Sequence, residues 1–400
     1  MRVSRADRGR LAQWWFTVDH GLLAAVLTLV ATGIVLSLAA SPAVALKKGF
    51  SAFHFVERHM IYSALALAVM LAVSLLNPAQ VRRLALALLL ASLAGLVAVH
   101  LTGAEINGAR RWLSLGGHSL QPSEFAKPAF AVVAGWLFAQ AQTRRDMPAL
   151  PLVVILGALL AALLVSQPDV GQTLLVSLVW GAQFLLSGQP ILAALALAAA
   201  GAGGLAVAYQ VFPHVQSRID RFREPNVGDN TQVERAMQSF GEGGFLGRGP
   251  GEGTIKTVLP DAHTDFIFAV VAEEYGVIAC LALLALFAFI VLRALRAAAR
   301  EPDAATRLAI QGLALLFGLQ ALINMAVNVG LIPAKGMTLP FISAGGSSML
   351  AVSITLGMLL ALTRRRPDRL HLDPGRLRPA IDLGMGRRDG AGRASPGPAE

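Results

Sequence analysis

Ten long apolar runs constrain the fold of this chain more than any other feature of its sequence. Each run holds between about 14 and 27 residues with few charges, and a helix needs about 20 apolar residues to cross a bilayer core of ~30 Å. Backbone polar groups inside a bilayer must be satisfied within the protein, which an α-helix does by itself. The sequence therefore predicts an all-α polytopic membrane protein with ten transmembrane helices. These runs are residues 20–40, 60–76, 84–101, 125–141, 150–166, 173–186, 191–212, 266–292, 309–331 and 349–363.

The composition is that of a membrane protein, and it argues against disulfides, cysteine-based metal sites and nucleic-acid binding. Hydrophobic residues make up 55% of the chain and charged residues only 14%, which is far from the composition of soluble domains. The single cysteine, Cys280, lies inside an apolar run, so neither a disulfide framework nor a cysteine-based metal site is expected. The net charge of +10 does not indicate nucleic acid as a partner, because most arginines lie in short loops and tails between the runs.

Charge placement predicts the orientation of the helices. An even number of spans puts both termini on one side, and the loops on that side carry most of the lysine and arginine, so both termini are expected in the cytoplasm. Residues 1–19 then form a cytoplasmic N-terminal segment, residues 20–363 the ten-helix domain, and residues 364–400 a disordered basic cytoplasmic tail. The first run exceeds the apolar region of a signal peptide and is predicted as an uncleaved span.

Two polar loops are expected on the outer side. The first covers residues 102–123, and the second, which is much longer, covers residues 213–263 between helices 7 and 8. Apolar residues recur at helical spacing over residues 231–240, which predicts a short amphipathic helix along the surface. Loops of this length are usually functional rather than simple connectors.

The long loop ends in LPDAHTDFIFAVVAEEYG at residues 259–276, where ionisable groups meet an apolar run. Such groups cost free energy at a membrane boundary and therefore indicate a functional site. Asp265 could be the N-cap of the eighth helix or a catalytic carboxylate, and the neighbouring Pro, His and Thr favour catalysis. Glu273 and Glu274 lie about 80° and 180° round the helix from Asp265. Bonding to neighbouring helices is the preferred interpretation for Glu274 and an open one for Glu273.

A second polar stretch, residues 107–127, is the candidate partner of the first. Glu124 and Lys127 are three residues apart at the start of the fourth helix, so they share one face. One interpretation is a local ion pair that seats the end of the helix. In the alternative, Lys127 balances a buried carboxylate or an anionic substrate group, and Asp265 is the obvious candidate carboxylate.

A basic and aromatic triplet precedes this helix on the outer side. Trp112 fits an interfacial aromatic belt, which explains it without a functional role. Arg110 and Arg111 lie on the side where positive charge is disfavoured, so they indicate an anionic ligand such as a phosphate.

Five motifs follow one another in a fixed order along the chain. They are NGARRWLSLGGHSLQPSEFAKP at residues 107–128, QPDVGQT at 167–173, GDNTQVERAMQSFGEGGFLGRGPGEG at 228–253, LPDAHTDFIFAVVAEEYG at 259–276 and IPAKGMTLPFISAGGSSML at 332–350. Together they resemble the SEDS family of bacterial membrane glycosyltransferases, which act in shape, elongation, division and sporulation. The form KGMTLPFIS is similar to the division branch rather than the elongation branch. The chain departs from the usual family pattern at Thr231, Asp261, Ala334 and Ala344, none of which removes Asp265.

The resemblance implies a reaction and a set of site residues. The reaction is polymerisation of lipid II, the undecaprenyl-diphosphate-linked disaccharide peptide, into glycan strands at the outer face of the cytoplasmic membrane during septal cell-wall synthesis. Asp265 corresponds to the essential aspartate of the family. The substrate-binding residues expected from the matching motifs are Arg110, Arg111, Trp112, Gln121, Glu124, Lys127, His263, Thr264, Lys335 and Ser347.

The resemblance also implies partners and a location. A class B penicillin-binding transpeptidase is the expected partner, with other divisome proteins, in the bacterial cytoplasmic membrane at the division septum. Three other functions use the same polar features: a flippase that transports lipid II without a chemical step, an elongation polymerase, and a non-catalytic divisome scaffold. Polymerisation of lipid II that is already on the outer side would separate an enzyme from a flippase.

A mechanism follows from the nature of the leaving group. A diphosphate leaves without protonation when Arg, Lys or a metal stabilises its charge, so one carboxylate suffices. In our hypothesis Asp265 is the general base on the acceptor GlcNAc 4-hydroxyl, in an inverting displacement at C1 of the donor MurNAc. Arg110, Arg111, Lys127 and Lys335 surround the diphosphates, and Asp265 faces Lys127 across an outward cavity. No permanent metal is expected, although carboxylates near Asp265 could recruit Mg²⁺ or Mn²⁺.

Overall fold

Helices occupy every stretch in which the sequence has a long apolar run. The structure is a computed structural model that describes residues 9–106, 109–115, 118–144, 146–211, 216, 220, 231–333 and 336–365. Its helices are α1 (Arg10–Thr17), α2 (His20–Lys47), α3 (His54–Ser74), α4 (Pro78–Thr102), α5 (Pro122–Thr143), α6 (Ala149–Ser166), α7 (Val170–Leu186), α8 (Ile191–Val211), α9 (Thr231–Gly243), α10 (Ile267–Ala299), α11 (Ala304–Asn328) and α12 (Gly346–Leu362).

Seven of the described helices are long and apolar enough to cross a membrane, judged by length and composition. They are α2, α3, α4, α6, α8, α10 and α11. Two further apolar helices, α7 and α12, have 17 residues each. The expectation of a helical, multi-pass membrane protein is confirmed, and the count of ten spans stays a prediction.

Helix α5 corresponds to the fourth predicted span and is surrounded by protein. It packs against α4, α6 and α11, and nearly every residue over 122–139 is buried. Because its faces contact other helices rather than lipid, α5 can carry Glu124 and Lys127 without exposing either to hydrocarbon. The polar motif of this helix therefore points into the bundle.

Residues 104–120 contain a small antiparallel sheet that packs against α4 and α5. The all-α prediction is incomplete at this point. The strand ARRWLSL has only seven residues and follows a period of two, which a search for long apolar runs does not detect. The strands, in the order β1-β2-β3, are β1 (Ala104–Ile106), β2 (Ala109–Leu115) and β3 (His118–Leu120).

The amphipathic helix predicted over residues 231–240 is confirmed as α9, which ends three residues later at Gly243. Its apolar face packs onto α10, where the rings of Phe240 and Phe268 have centroids 5.8 Å apart. Met237, one turn before Phe240, is 53% exposed. Of the earlier part of this loop, only residues 216 and 220 are among the described ones.

The chain after α9 packs into a break in α10. At Gly276 the backbone leaves the helix with φ 79° and ψ 176°. The N–H groups of residues 277 and 278 donate to the carbonyls of residues 244 and 245, at 3.0 and 3.3 Å. In return, the N–H groups of residues 248 and 249 donate to the carbonyls of residues 273 and 274, at 2.9 and 3.0 Å. The glycine-rich loop thus replaces the hydrogen bonds that the helix loses, as irregular backbone within a membrane protein requires.

Two buried carboxylates of α10 hold the same loop. Glu273 accepts the backbone N–H groups of residues 254–256 at 2.6, 2.7 and 3.0 Å. Glu274 accepts from the Gly251 N–H at 3.1 Å and forms an ion pair with Lys256. Both glutamates therefore bond within the protein, but to a loop that precedes them in sequence rather than to a neighbouring helix.

Replacing Gly276 by alanine should lower the melting temperature of the detergent-solubilised protein. Alanine rarely adopts a φ near +79°, and its Cβ would clash with the carbonyl oxygen of Phe245. Backbone strain alone should reduce the free energy of unfolding by about 1–3 kcal/mol. Gly181→Ala is the matched control, because a Cβ at this helical position meets open space. Equal melting temperatures for the two variants would contradict the assigned role of Gly276.

Candidate active site

Asp265 lies in the turn that leads into α10. The N-cap of this helix is Phe266, without a side-chain cap, so Asp265 is not the N-cap that the sequence left open. The side chain of Asp265 is half-buried, and its carboxylate accepts no hydrogen bond from the described part of the chain. Its backbone is held instead, because its carbonyl accepts from the amides of Asn324 at 2.9 Å and Asn328 at 3.0 Å.

The environment of Asp265 makes its carboxylate a better proton acceptor than an exposed aspartate. Burial raises the pKa of Asp265 from 3.8 to about 6, and the negative charge of Asp261 contributes in the same direction. The group is still mostly ionised at neutral pH. A carboxylate with a pKa near the working pH suits general-base chemistry.

Three amide side chains form a ladder along one face of α11. Gln320, Asn324 and Asn328 are spaced four residues apart, so they project from the same side of the helix. Gln320 and Asn324 also donate to the carbonyls of residues 338 and 337, at 3.1 and 2.6 Å respectively. The ladder thereby fixes both Asp265 and the segment beside it. It was not predicted, although amides at four-residue spacing inside an apolar run were an available signal.

Lys127 is buried, and its ammonium group donates hydrogen bonds to side chains of the protein. Its Nζ donates to Glu124 at 2.9 Å and to Gln320 at 3.0 Å, and Glu124 also accepts from Gln172 at 2.7 Å. The local ion pair is therefore the arrangement that forms. No hydrogen bond or ion pair between Lys127 and Asp265 occurs in the described chain, and the two residues are connected only indirectly through the ladder.

Arg111 is engaged by the turn between α6 and α7. Its guanidinium donates to the carbonyls of Gln167 at 3.2 Å and of Pro168, and lies 3.8 Å from the carboxylate of Asp169. Burial raises the pKa of Asp169, and the charge of Arg111 opposes that shift. Gln121 donates to the same carboxylate at 3.4 Å. These contacts give Arg111 a structural role in this turn.

Four further residues were predicted to bind substrate, and the structure describes three of them. Arg110 is exposed and Trp112 half-buried, both on β2. The Ser347 hydroxyl donates to a carbonyl of β3 at 3.0 Å and accepts from the Gln121 N–H at 3.3 Å, which joins the start of α12 to the start of α5. Lys335 lies outside the described residues.

A cavity of 160 Å³ lies between the first turns of α3, the turn before α10 and the start of α12. His263 and Thr264, both predicted as site residues, line it directly before Asp265 in the sequence. The His263 ring packs on Phe55, with centroids 4.7 Å apart. Burial and the charge of Lys48 lower the pKa of His263 to about 4, so this ring is neutral near pH 7.

The turn before α10 offers two carboxylates to a cation, those of Asp261 and Asp265. Groups of three or more His, Cys, Asp or Glu side chains suited to a metal do not occur among the described residues. A hard cation such as Mg²⁺ takes several oxygen ligands, often including substrate phosphates. These two side chains would therefore need further oxygen ligands to hold one.

Comparison with known proteins connects this geometry to a family. A family model named FTSW_RODA_SPOVE and described as "Cell cycle protein" matches residues 20–367. The "Probable peptidoglycan glycosyltransferase FtsW" of Caulobacter vibrioides is 44% identical over 387 residues, which cover 96% of this chain and 97% of that protein. The protein of the same name from Pseudomonas fluorescens is 34% identical, with 89% of each chain covered.

Solved structures show the same similarity. A chain of the structure described as "Structural coordination of polymerization and crosslinking by a peptidoglycan synthase complex" has a TM-score of 0.73 at 28% identity, covering 86% of this chain and 97% of that chain. The Rod shape determining protein RodA of Thermus thermophilus has a TM-score of 0.62 at 28% identity, covering 87% and 97%. The resemblance drawn from the five motifs is confirmed, and the chain belongs to the FtsW/RodA/SpoVE family of cell cycle proteins.

Proposed function

We propose that this chain is a peptidoglycan glycosyltransferase that polymerises lipid II into glycan strands at the outer face of the cytoplasmic membrane, during septal cell-wall synthesis. The activity is supported by the relatives named peptidoglycan glycosyltransferase, at up to 44% identity over almost the whole chain. The observation that carries the mechanism is Asp265, a half-buried carboxylate with a raised pKa whose backbone is fixed by two amides.

In the proposed reaction Asp265 accepts the proton of the acceptor GlcNAc 4-hydroxyl while that oxygen attacks C1 of the donor MurNAc. The new bond between O4 and C1 forms as the bond between C1 and the diphosphate oxygen breaks, with inversion at C1. The electron pair of the broken bond leaves with the diphosphate. Because that leaving group needs charge stabilisation rather than a proton, a single carboxylate is sufficient.

The observed contacts change the roles expected of two cations. Arg111 and Lys127 are both bound by acceptors of the protein, so direct contact with a diphosphate would require those bonds to break. We assign to them the organisation of the α6–α7 turn and of the start of α5. Arg110 and Lys335 keep their predicted role toward the diphosphates.

The membrane arrangement and the partner are further parts of the proposal. Ten spans result if α5, α7 and α12 cross the membrane together with the seven longer apolar helices, and both termini are then cytoplasmic. A chain of similar fold comes from a complex that coordinates polymerization and crosslinking, which supports a class B penicillin-binding transpeptidase as partner. The relatives named FtsW support a role at the division septum with other divisome proteins.

A transient Mg²⁺ or Mn²⁺ near Asp265 is also part of the proposal. Asp261 would hold the cation together with phosphate oxygens of the substrate, which leaves the Asp265 carboxylate unligated as the base, and the charge of the cation would assist departure of the diphosphate. Polymerisation that persists in excess chelator would exclude this requirement and leave the role of Asp265 as base unchanged.

Asp265→Asn should abolish polymerisation. Asparagine keeps the size of the side chain but cannot take the proton, and loss of a general base slows a reaction by about 10²–10⁴-fold. The measurement is the yield of glycan polymer from purified lipid II, made by the full-length protein together with its transpeptidase partner. Asp146→Asn, at an exposed position in the loop between α5 and α6, is the matched control and should give normal polymer.

An unchanged yield of glycan polymer from Asp265→Asn would contradict the assignment of Asp265 as the general base. If lipid II supplied on the outer side of vesicles is never polymerised, and lipid II is instead seen to cross the bilayer, the flippase alternative gains support. Both assays use the same purified protein, so the two outcomes can be compared directly.

The rate of polymerisation should rise as the pH increases through about 6. Below this value Asp265 is protonated and cannot act as a base, whereas above it the carboxylate is ionised. Asp261→Asn removes the charge that helps to raise this pKa, so the midpoint of the pH–rate profile should move to lower pH. A rate that stays constant between about pH 5 and pH 7 would contradict Asp265 as the base.

Asn324→Leu should lower kcat with little change in KM. The substitution removes the hydrogen bonds to the carbonyls of Asp265 and Met337, so the carboxylate is free to shift, and a misplacement of about 1 Å costs about 10²-fold in rate. Gln311→Leu on the same helix is the control, because the side-chain oxygen of Gln311 has no partner in the described chain. Equal kcat values for the two variants would show that the ladder does not position Asp265.

A further inference from the structure

The cavity beside the turn of Asp265 contains buried histidine nitrogens without hydrogen-bond partners in the described chain. His59 is 2% exposed, and neither its Nδ1 nor its Nε2 is bonded. His263 is 6% exposed, and its Nδ1 is also unbonded. Unpaired polar atoms destabilise a buried site, where an apolar side chain would pack without that penalty. Two such rings lining one cavity point to a ligand that bonds to them.

The N-terminus of α12 meets the same cavity. Gly345 and Gly346 line it, and the N-cap Gly345 provides no side chain to cap the helix. The first N–H that bonds within the helix is that of Met349, so the N–H groups of residues 346–348 have no acceptor in the described chain. A 17-residue helix carries partial positive charge at this end, which favours an anion.

Glycine at position 346 keeps these N–H groups accessible. A Cβ there would stand 2.9 Å from the Tyr62 ring, which is closer than two carbon atoms normally approach. The Tyr62 ring therefore closes one wall of the cavity only because residue 346 has no side chain. The backbone of Gly346 consequently borders the cavity directly.

The charged side chain among the lining residues, that of Arg58, is positive. Arg58 lines it and is exposed on its other side, and Lys48 lies 5.7 Å from the Phe55 ring, close enough for its charge to act on His263. The lining residues include no carboxylate. Asp261 is exposed nearby and is the opposing charge that acts on His263. A neutral sugar hydroxyl could use the histidines, but it would not explain an arginine and an uncapped helix terminus on the same cavity.

We propose that this cavity binds a phosphate or diphosphate group, held by Arg58, the N–H donors of His59 and His263, and the N-terminus of α12. This inference rests on the proposed function, in which the group is the diphosphate of a polyprenyl-linked sugar. Thr264 lines the cavity and precedes Asp265, so the diphosphate lies next to the proposed base. The site supplies the charge stabilisation that Arg111 and Lys127, bound by the protein, do not provide in this arrangement.

Binding of undecaprenyl diphosphate to the purified full-length protein tests the proposal by isothermal calorimetry. Undecaprenol, which has the same tail without the diphosphate, is the control ligand, and inorganic pyrophosphate is the competitor. We expect undecaprenyl diphosphate to bind at least about tenfold more tightly than undecaprenol, with competition by pyrophosphate. Equal affinity for the two lipids would overturn the proposal. Binding of pyrophosphate without binding of undecaprenyl diphosphate would identify a soluble ligand and overturn the lipid-linked source.

Variants locate the binding to this cavity. Arg58→Gln changes an exposed side chain and should weaken undecaprenyl diphosphate about tenfold or more, whereas Arg58→Lys should retain part of the affinity. His59→Leu should also weaken binding while the melting temperature stays equal or rises, because an unpaired polar group leaves the interior. Arg83→Gln, at an exposed position near the start of α4 and absent from the lining of the cavity, is the control and should bind normally. Unchanged affinity in Arg58→Gln and His59→Leu would overturn the assignment.

The same variants separate failure of this inference from failure of the proposed function. Asp265→Asn should bind undecaprenyl diphosphate at least as tightly as the unmodified protein, because it removes a negative charge beside the site, and should fail to polymerise lipid II. If it fails to polymerise and Arg58→Gln binds like the unmodified protein, only the diphosphate site is wrong. If Arg58→Gln loses binding and Asp265→Asn still makes polymer, the diphosphate site stands and the catalytic assignment is wrong.

Discussion

Peptide groups that leave a helix inside a membrane protein must find partners in the protein, because lipid offers neither donors nor acceptors. Two such departures bracket the first turns of α10. At Gly276 the partners come from the glycine-rich loop after α9, and at the turn of Asp265 they come from Asn324 and Asn328 of α11. The proposed base therefore sits where the chain is not helical, and its position is set by distant parts of the sequence. Removing either set of partners would leave these backbone groups without the hydrogen bonds that now satisfy them.

Most buried charges of this protein are paired. Glu274 pairs with Lys256 of the loop after α9, and Glu124 pairs with Lys127 on the same helix. The second pair also bonds to Gln172 of α7 and Gln320 of α11. Removing one partner of such a pair leaves a charge uncompensated, which is costly in the interior. Asp265 differs, because no cation pairs with it among the described residues. A carboxylate that is enclosed without a counter-ion is more readily explained by chemistry than by stability.

Local features were predictable from the sequence and long-range ones were not. The helices follow from apolar runs, and Asp265 was located because ionisable residues are rare at such a boundary. The ion pair of Lys127 with Glu124 was among the predicted alternatives, but its second partner was not predictable, since Gln320 lies 193 residues away and nothing local specifies that contact. We expected Glu274 to bond to a neighbouring helix, whereas a loop that turns back onto α10 supplies its partners. The sheet at residues 104–120 was not predicted for a different reason: each of its strands is too short to show a clear period of two in the sequence.

The absence of an ion pair between Asp265 and Lys127 in the described chain bears on the mechanism. A cation within about 4–6 Å lowers the pKa of an aspartate by about 1–3 units, which makes the carboxylate a weaker proton acceptor. An ion pair between these two residues would therefore work against a base. In the observed arrangement Lys127 is neutralised by Glu124 and reaches the site only through the uncharged amides of α11, while burial and Asp261 keep the pKa of Asp265 at about 6. The amides of the ladder hold the backbone of Asp265 in place without putting a positive charge beside its carboxylate. The carboxylate therefore remains a good proton acceptor.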